Sequence, residues 1–205
     1  MLRALTLKAA GVIGNHRQAS DWEIKAYAYS IQVVILAVFQ YSIYIAISIA
    51  AGFFQPTITA IVSSVVFRSF SGTWHLSTFP RCLIYSGLTF AFIVAVALPR
   101  WPDLFRYCSA LFIAAAGLIS VSKWIPAGTR KRINTPHYRM VQKIKTLAFL
   151  LSGVVLVTVL EYYHLQNYTQ PFIASIGFSI FYTTPWGRRV IESIDRLFDY
   201  LNNPE

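Results

Sequence analysis

Six stretches of the chain run almost free of charge: residues 29–54, 57–67, 83–98, 107–121, 144–160 and 168–186. The first exceeds the roughly 20 apolar residues with which an α-helix crosses bilayer hydrocarbon. The others are shorter and fit helices that tilt, thin the bilayer locally or are partly re-entrant. Two depart furthest from a simple span: 57–67 is brief, and 168–186 is interrupted by Pro171 and by Thr183-Thr184-Pro185. Ahead of the runs, residues 1–28 set Leu2, Leu5, Val12 and Ile13 against Arg3, Lys8, Arg17 and Lys25. That alternation reads as an amphipathic helix lying in the membrane interface, in preference to a solvated one. The pattern predicts an all-α fold. It is a polytopic membrane helical bundle of about six transmembrane or partly re-entrant helices, with an N-terminal amphipathic interfacial helix. Residues 1–205 form a single domain with no internal repeat.

Composition agrees. Of 205 residues, 56% are hydrophobic and only 13% charged, where a soluble domain carries about 25% charged residues. The formal charge of +10 would point to nucleic acid in a soluble protein. Here it points to loops facing anionic lipid, and no nucleic-acid partner is expected. The cations fall in four clusters: residues 1–28; Arg68 and Arg81; a seven-cation loop within 123–145 containing Arg130, Lys131 and Arg132; and the 187–205 tail with Arg188, Arg189 and Arg196. Only Arg100 and Arg106 lie outside them. The positive-inside rule places the clusters, and both termini, in the cytoplasm, and the number of crossings at six. Trp101, Tyr162, Tyr163, Tyr168, Tyr182 and Trp186 stand near run ends, as an aromatic belt would. Residues 1–28 lack the pattern of a secretory signal, and two cysteines make no disulfide framework. The histidines and acids show no metal-ligand spacing, and no acidic residue lies inside an apolar run, which argues against a proton-coupled transporter. No cofactor is expected.

The candidate chemistry lies in residues 68–82, between the second and third runs. His75 and Cys82 stand seven positions apart. An imidazole that takes a thiol proton makes a sulfur nucleophile at neutral pH. On one continuous helix the two would be separated by about 10 Å along the axis, too far for the roughly 3 Å contact the chemistry needs. Pro80 lacks an N–H and disfavours helix at Phe79, and Gly72 loosens the other side. One helix is therefore expected to end near residues 70–75, and another to begin with Pro80 in its first turn. Arg81 would favour a thiolate. Cys108, inside an apolar run, is read as packing. Two other readings stay open. In a non-enzymatic transporter or lipid-binding scaffold, Cys82 is a small apolar residue and His75 an interfacial one. In another interfacial acyltransferase or peptidase, the same pair acts on a different substrate. The tail, with Arg188-Arg189 ahead of Glu192, Asp195 and Asp199, reads as a mixed-charge helix of little chemical information.

Arg68, Phe70, Ser71, Gly72, His75 and Cys82 resemble the signature of the accessory gene regulator B family, membrane cysteine peptidases that process precursors of quorum-sensing peptides in Gram-positive bacteria. Length, basic N-terminus, six runs and the basic loop containing Pro126 extend the resemblance over nearly the whole chain. Thr73 stands where the family often has a second glycine. The resemblance implies that Cys82, deprotonated by His75, cleaves a small precursor peptide at the inner face of the cell membrane. An acyl-thioester forms on Cys82, and a side chain of the retained peptide displaces it to close a thiolactone or lactone. Arg68, Gly72 and Arg81 would support the site, with oxyanion donors from the backbone around Gly72 or Cys82. Lys131 and Arg132, in the basic loop, would receive the acidic C-terminal part of the precursor. Membrane lipids and a second copy of the chain, as a homodimer, are the further implied partners.

Overall fold

The computed structural model describes residues 2–16, 19–128 and 135–202. Eight helices run through these residues: α1 Leu2–His16, α2 Asp21–Ala50, α3 Phe54–Ser71, α4 Phe79–Ala97, α5 Asp103–Lys123, α6 Pro136–Tyr162, α7 Gln166–Phe181 and α8 Pro185–Asn202. Four of them, α2, α4, α5 and α6, are long and apolar enough to cross a membrane. The protein is an all-helical membrane protein.

The chain divides into two compact units, 1–47 and 48–205. The smaller holds α1 and most of α2. Its helix boundary is written in sequence: Ser20-Asp21-Trp22-Glu23 is a capping box. The Glu23 carboxylate accepts from the Ser20 N–H (2.7 Å) and hydroxyl (2.8 Å). That cap starts α2 at Asp21, eight residues ahead of the first apolar run.

In the larger unit the runs 57–67, 107–121 and 144–160 are the middles of the longer helices α3, α5 and α6, whose polar ends the runs left out. The two doubtful runs become α3 and α7, and they are short because they pack against each other inside protein. They run side by side in the same direction. Ser63 bonds Ser175 (2.6 Å), and one turn on Ser179 donates to Ser64 (3.4 Å). Small hydroxyl residues let the backbones approach and satisfy one another away from water. Around this pair stand α4, α5 and α6. Phe67, Val121, Ile125, Leu150, Ile176 and Ile180 form the apolar core between them. Pro171 sits buried within α7 without ending it; the sixth run breaks at Tyr182–Thr184, where α8 begins.

The end of this unit remote from His75 is pinned by polar contacts. Buried Arg106 donates to both carboxylate oxygens of Glu161 on α6 (3.0 and 3.1 Å). It also meets the Trp101 carbonyl and the Asp103 carboxylate. Arg106 was one of two cations outside the basic clusters, and the structure explains it as half of a buried pair. Gln170 of α7, with its amide turned to suit its neighbours, donates to the carbonyls of Ala97 (2.8 Å) and Pro99 (3.2 Å) and accepts from the Trp101 N–H (2.7 Å). Both groups fix the α4–α5 turn.

Candidate active site

The turn between α3 and α4 is built as its residues require. Gly72 ends α3 at φ 71°, ψ 173°, a region of backbone space open essentially only to glycine. Pro80 occupies the first turn of α4, where its missing N–H costs nothing. Between them the chain leaves helical geometry and folds back. The sulfur of Cys82 lies 3.9 Å from Nδ1 of His75, within hydrogen-bond reach for a thiol. Cys82 is half-buried and stands in the first turn of α4.

A second segment holds the turn from one side. The Ala127 N–H donates to the Ser71 carbonyl (2.8 Å), and Gly72 and Ala127 form a parallel bridge. A Cβ on Gly72 would strike the Ala127 carbonyl, and one on Gly128 the Thr73 carbonyl. Two glycines thus let two backbones lie in contact. Thr73 does not hold its own backbone away, because Gly128 opposite it has no side chain.

Beneath the pair lies Tyr182, buried rather than belonging to an aromatic belt. Its hydroxyl bonds that of Tyr85 (2.7 Å). The Arg68 guanidinium stands over its ring, 5.4 Å from the centroid. Leu76, Tyr182 and Ile191 form an apolar cluster against which Trp74, Cys82, Tyr85 and Phe198 pack. Partial desolvation by the surrounding protein and, after it, the nearby positive charge of Arg68 hold the imidazole of His75 below the ordinary histidine pKa, although its side chain remains exposed.

The Arg81 guanidinium pairs with Asp195 (2.9 Å) and Asp199 (2.6 Å) of α8. The backbone N–H groups of Gly72 and Cys82 donate to the carbonyls of Arg68 (3.0 Å) and Thr78 (3.1 Å) as each helix ends or begins. Arg68 stands over the Tyr182 ring and Gly72 ends α3 at the turn; Lys131 and Arg132 lie outside the described residues. Cys108 is exposed on α5. The tail, read as chemically uninformative, is part of the site through Asp195, Asp199 and Ile191. Sequence reasoning also missed Tyr182 and Ala127. One signal was available: two acids four residues apart on α8, on one face of a helix, wanting a cation.

The cause of the His75 shift gives a pH prediction. With His75 as the base, protonation blocks acceptance of the thiol proton, so cleavage is expected to fall as pH drops through its pKa. Because that pKa is lowered, the acid limb should lie below the ordinary histidine range. Arg68→Gln removes a repelling charge, raises the His75 pKa and should move the limb to higher pH. Arg68→Lys keeps the charge and should leave it in place. A pH–rate profile of kcat/KM for the two variants decides; identical limbs would rule out charge as the role of Arg68.

Comparison with known proteins gives one finding. The model of the family described as Accessory gene regulator B matches residues 7–183 of the chain. No curated protein and no solved structure matches it.

Proposed function

The chain belongs to the accessory gene regulator B family, whose members process autoinducing-peptide precursors in quorum sensing, and we propose that it does so as a cysteine endopeptidase acting through Cys82 and His75. The observation that carries this reading is the 3.9 Å approach of Sγ to Nδ1 across a broken helix. Neutral His75 takes the Cys82 proton, and the sulfur attacks a carbonyl carbon of the precursor. The tetrahedral intermediate collapses as His75 returns its proton to the departing amine. The C-terminal fragment leaves, and a thioester joins the retained peptide to Cys82. A cysteine thiol or serine hydroxyl of that peptide then attacks the thioester carbonyl, His75 again relays the proton, and Cys82 is released as the thiol. The product is a thiolactone or lactone. Intramolecular capture profits from a high effective concentration, and a site at the end of a membrane bundle limits water's access to the thioester.

The clustering of cations between alternate apolar runs along the sequence supports placing the reaction, and both termini, at the cytoplasmic face of a bacterial cell membrane. The cations suit a precursor with an acidic C-terminal part. A homodimer within the lipid bilayer is the assembly we propose from the family.

The test is capture of the intermediate. A precursor whose internal nucleophile is replaced by alanine cannot close the ring. Incubated with membranes carrying the protein, it should leave Cys82 heavier by the mass of the retained fragment, in a form hydroxylamine releases. Release of the C-terminal fragment with no adduct on Cys82 would overturn the thioester route.

A further inference from the structure

Asp195 of α8 touches both flanks of the candidate pair. One carboxylate oxygen accepts from the Ser77 N–H (3.0 Å). The other accepts from the Ser77 hydroxyl (2.9 Å) and from Nη1 of Arg81 (2.9 Å). Ser77 lies two residues after His75, and Arg81 adjoins Cys82. The same Arg81 nitrogen also donates to the Ser77 hydroxyl (3.2 Å), closing a small ring of contacts between the two segments. Around it α8 adds Asp199 on Arg81, the Phe198 ring 5.7 Å below that guanidinium, and Arg188 stacked 4.7 Å over Trp74. Burial pulls the Asp195 carboxyl up, but the bonds from Arg81 and Ser77 outweigh it and hold it below the usual carboxylate range.

The turn needs such a brace. Residues 73–78 are neither helix nor paired strand, and the spacing of His75 and Cys82 depends on how that segment closes on the first turn of α4. The contacts to Ala127 and Gly128 fix its beginning, at residues 71–73. Asp195, together with the direct bond from Arg81 to Ser77, ties its later part to α4 across the gap. Helix α8 lies beyond residues 7–183, so this brace stands outside the region that the family match covers.

We propose that Asp195 is a positioning residue for the reaction: by bonding Ser77 and Arg81 together it sets the His75–Cys82 separation, and α8 is thereby a working part of the site. The inference rests on the reading of Cys82 and His75 as nucleophile and base. It deepens that reading by assigning the element that holds them.

The experiment measures two things on Asp195→Asn: precursor cleavage in membranes, and, in detergent, iodoacetamide labelling of Cys82 relative to Cys108, which faces outward from α5. A displacement of about 1 Å at a reacting pair lowers rate on the order of 100-fold. Asp195→Asn should accordingly lower kcat roughly 10- to 100-fold, leave KM within about two-fold, and reduce the Cys82:Cys108 labelling ratio. Asp195→Glu should recover part of both, and Glu192→Gln on the same helix should change neither. A purely structural or substrate-binding α8 would instead change KM or protein yield at a constant labelling ratio, and that result overturns the proposal. So does an unchanged kcat. If Asp195→Asn does not reach the membrane folded, Ser77→Ala removes one arm alone. A fall in kcat and labelling ratio upholds the proposal, and unchanged values overturn it. Labelling is read without substrate, so loss of the brace remains distinguishable from failure of the peptidase reading, which Cys82→Ala tests separately.

Discussion

Cys82→Ala is expected to abolish precursor cleavage, and His75→Ala to lower it by roughly 100- to 10,000-fold. The sulfur is the only atom in the proposed route that bonds to substrate, so its removal leaves no first step. The imidazole is the group that makes the sulfur nucleophilic and later protonates the departing amine. Because the two act as a unit, the double variant should be no worse than Cys82→Ala alone. Cys82→Ser tests the sulfur specifically. A hydroxyl in the same place is far harder for a neutral imidazole to activate, so cleavage should stay undetectable with the fold unchanged. Cys108→Ala, on the exposed side of α5, should cleave normally. Each variant is compared at equal membrane level by the appearance of the C-terminal fragment. Cleavage by Cys82→Ala at anything near the parental rate would end the cysteine-peptidase reading and return the chain to a role in which 75 and 82 merely pack.

The parts of the site legible in sequence were those set by local covalent chemistry. Pro80 lacks an N–H and disfavours helix at the residue before it, and Gly72 loosens the backbone, so a break between α3 and α4 followed from residue types. The apolar runs located the helices for a similar reason, since a bilayer imposes its length on each. Their ends were less legible. Polar caps such as Ser20–Glu23 belong to the helix but not to the run.

What stayed hidden depends on residues that meet across long sequence separations. Arg81 beside Cys82 suggests a thiolate partner when the chain is read as a line. In the folded chain its guanidinium reaches 114 positions onward to Asp195. Tyr182 looks like an interfacial aromatic until α3 places Arg68 over its ring. The shortness of α3 and α7 raised doubt about their place in the bundle, yet shortness is what an interior pair shows when serines pack against serines instead of leucines against lipid. The tail seemed uninformative because its acids balance its basics in composition. In space Asp195 and Asp199 pair with Arg81 in the first turn of α4.

Gly72→Ala carries the largest effect expected from a residue that touches no reacting atom. Two costs fall on one methyl group. The backbone at φ 71°, ψ 173° is one an alanine avoids, at about 1–3 kcal/mol. The new Cβ would also strike the Ala127 carbonyl, so relief of the clash must break the contact between Ser71 and Ala127. The turn then loses the support that fixes where it begins, and His75 loses its register against Cys82. Gly52 provides the control. It too has a positive φ, 76°, but a Cβ there meets nothing within 4 Å. Gly52→Ala should lower thermal stability by the backbone strain alone, about 1–2 kcal/mol, and leave cleavage intact. Gly72→Ala should lose stability by more than that, and cleavage by roughly 100-fold or more, the scale of a misplaced reacting group. Thermal unfolding in detergent and cleavage at equal protein level separate the two. If both alanine variants behave alike, the strain of a positive φ is the whole effect, and the pairing of residues 71–73 with 125–128 does not hold the catalytic pair.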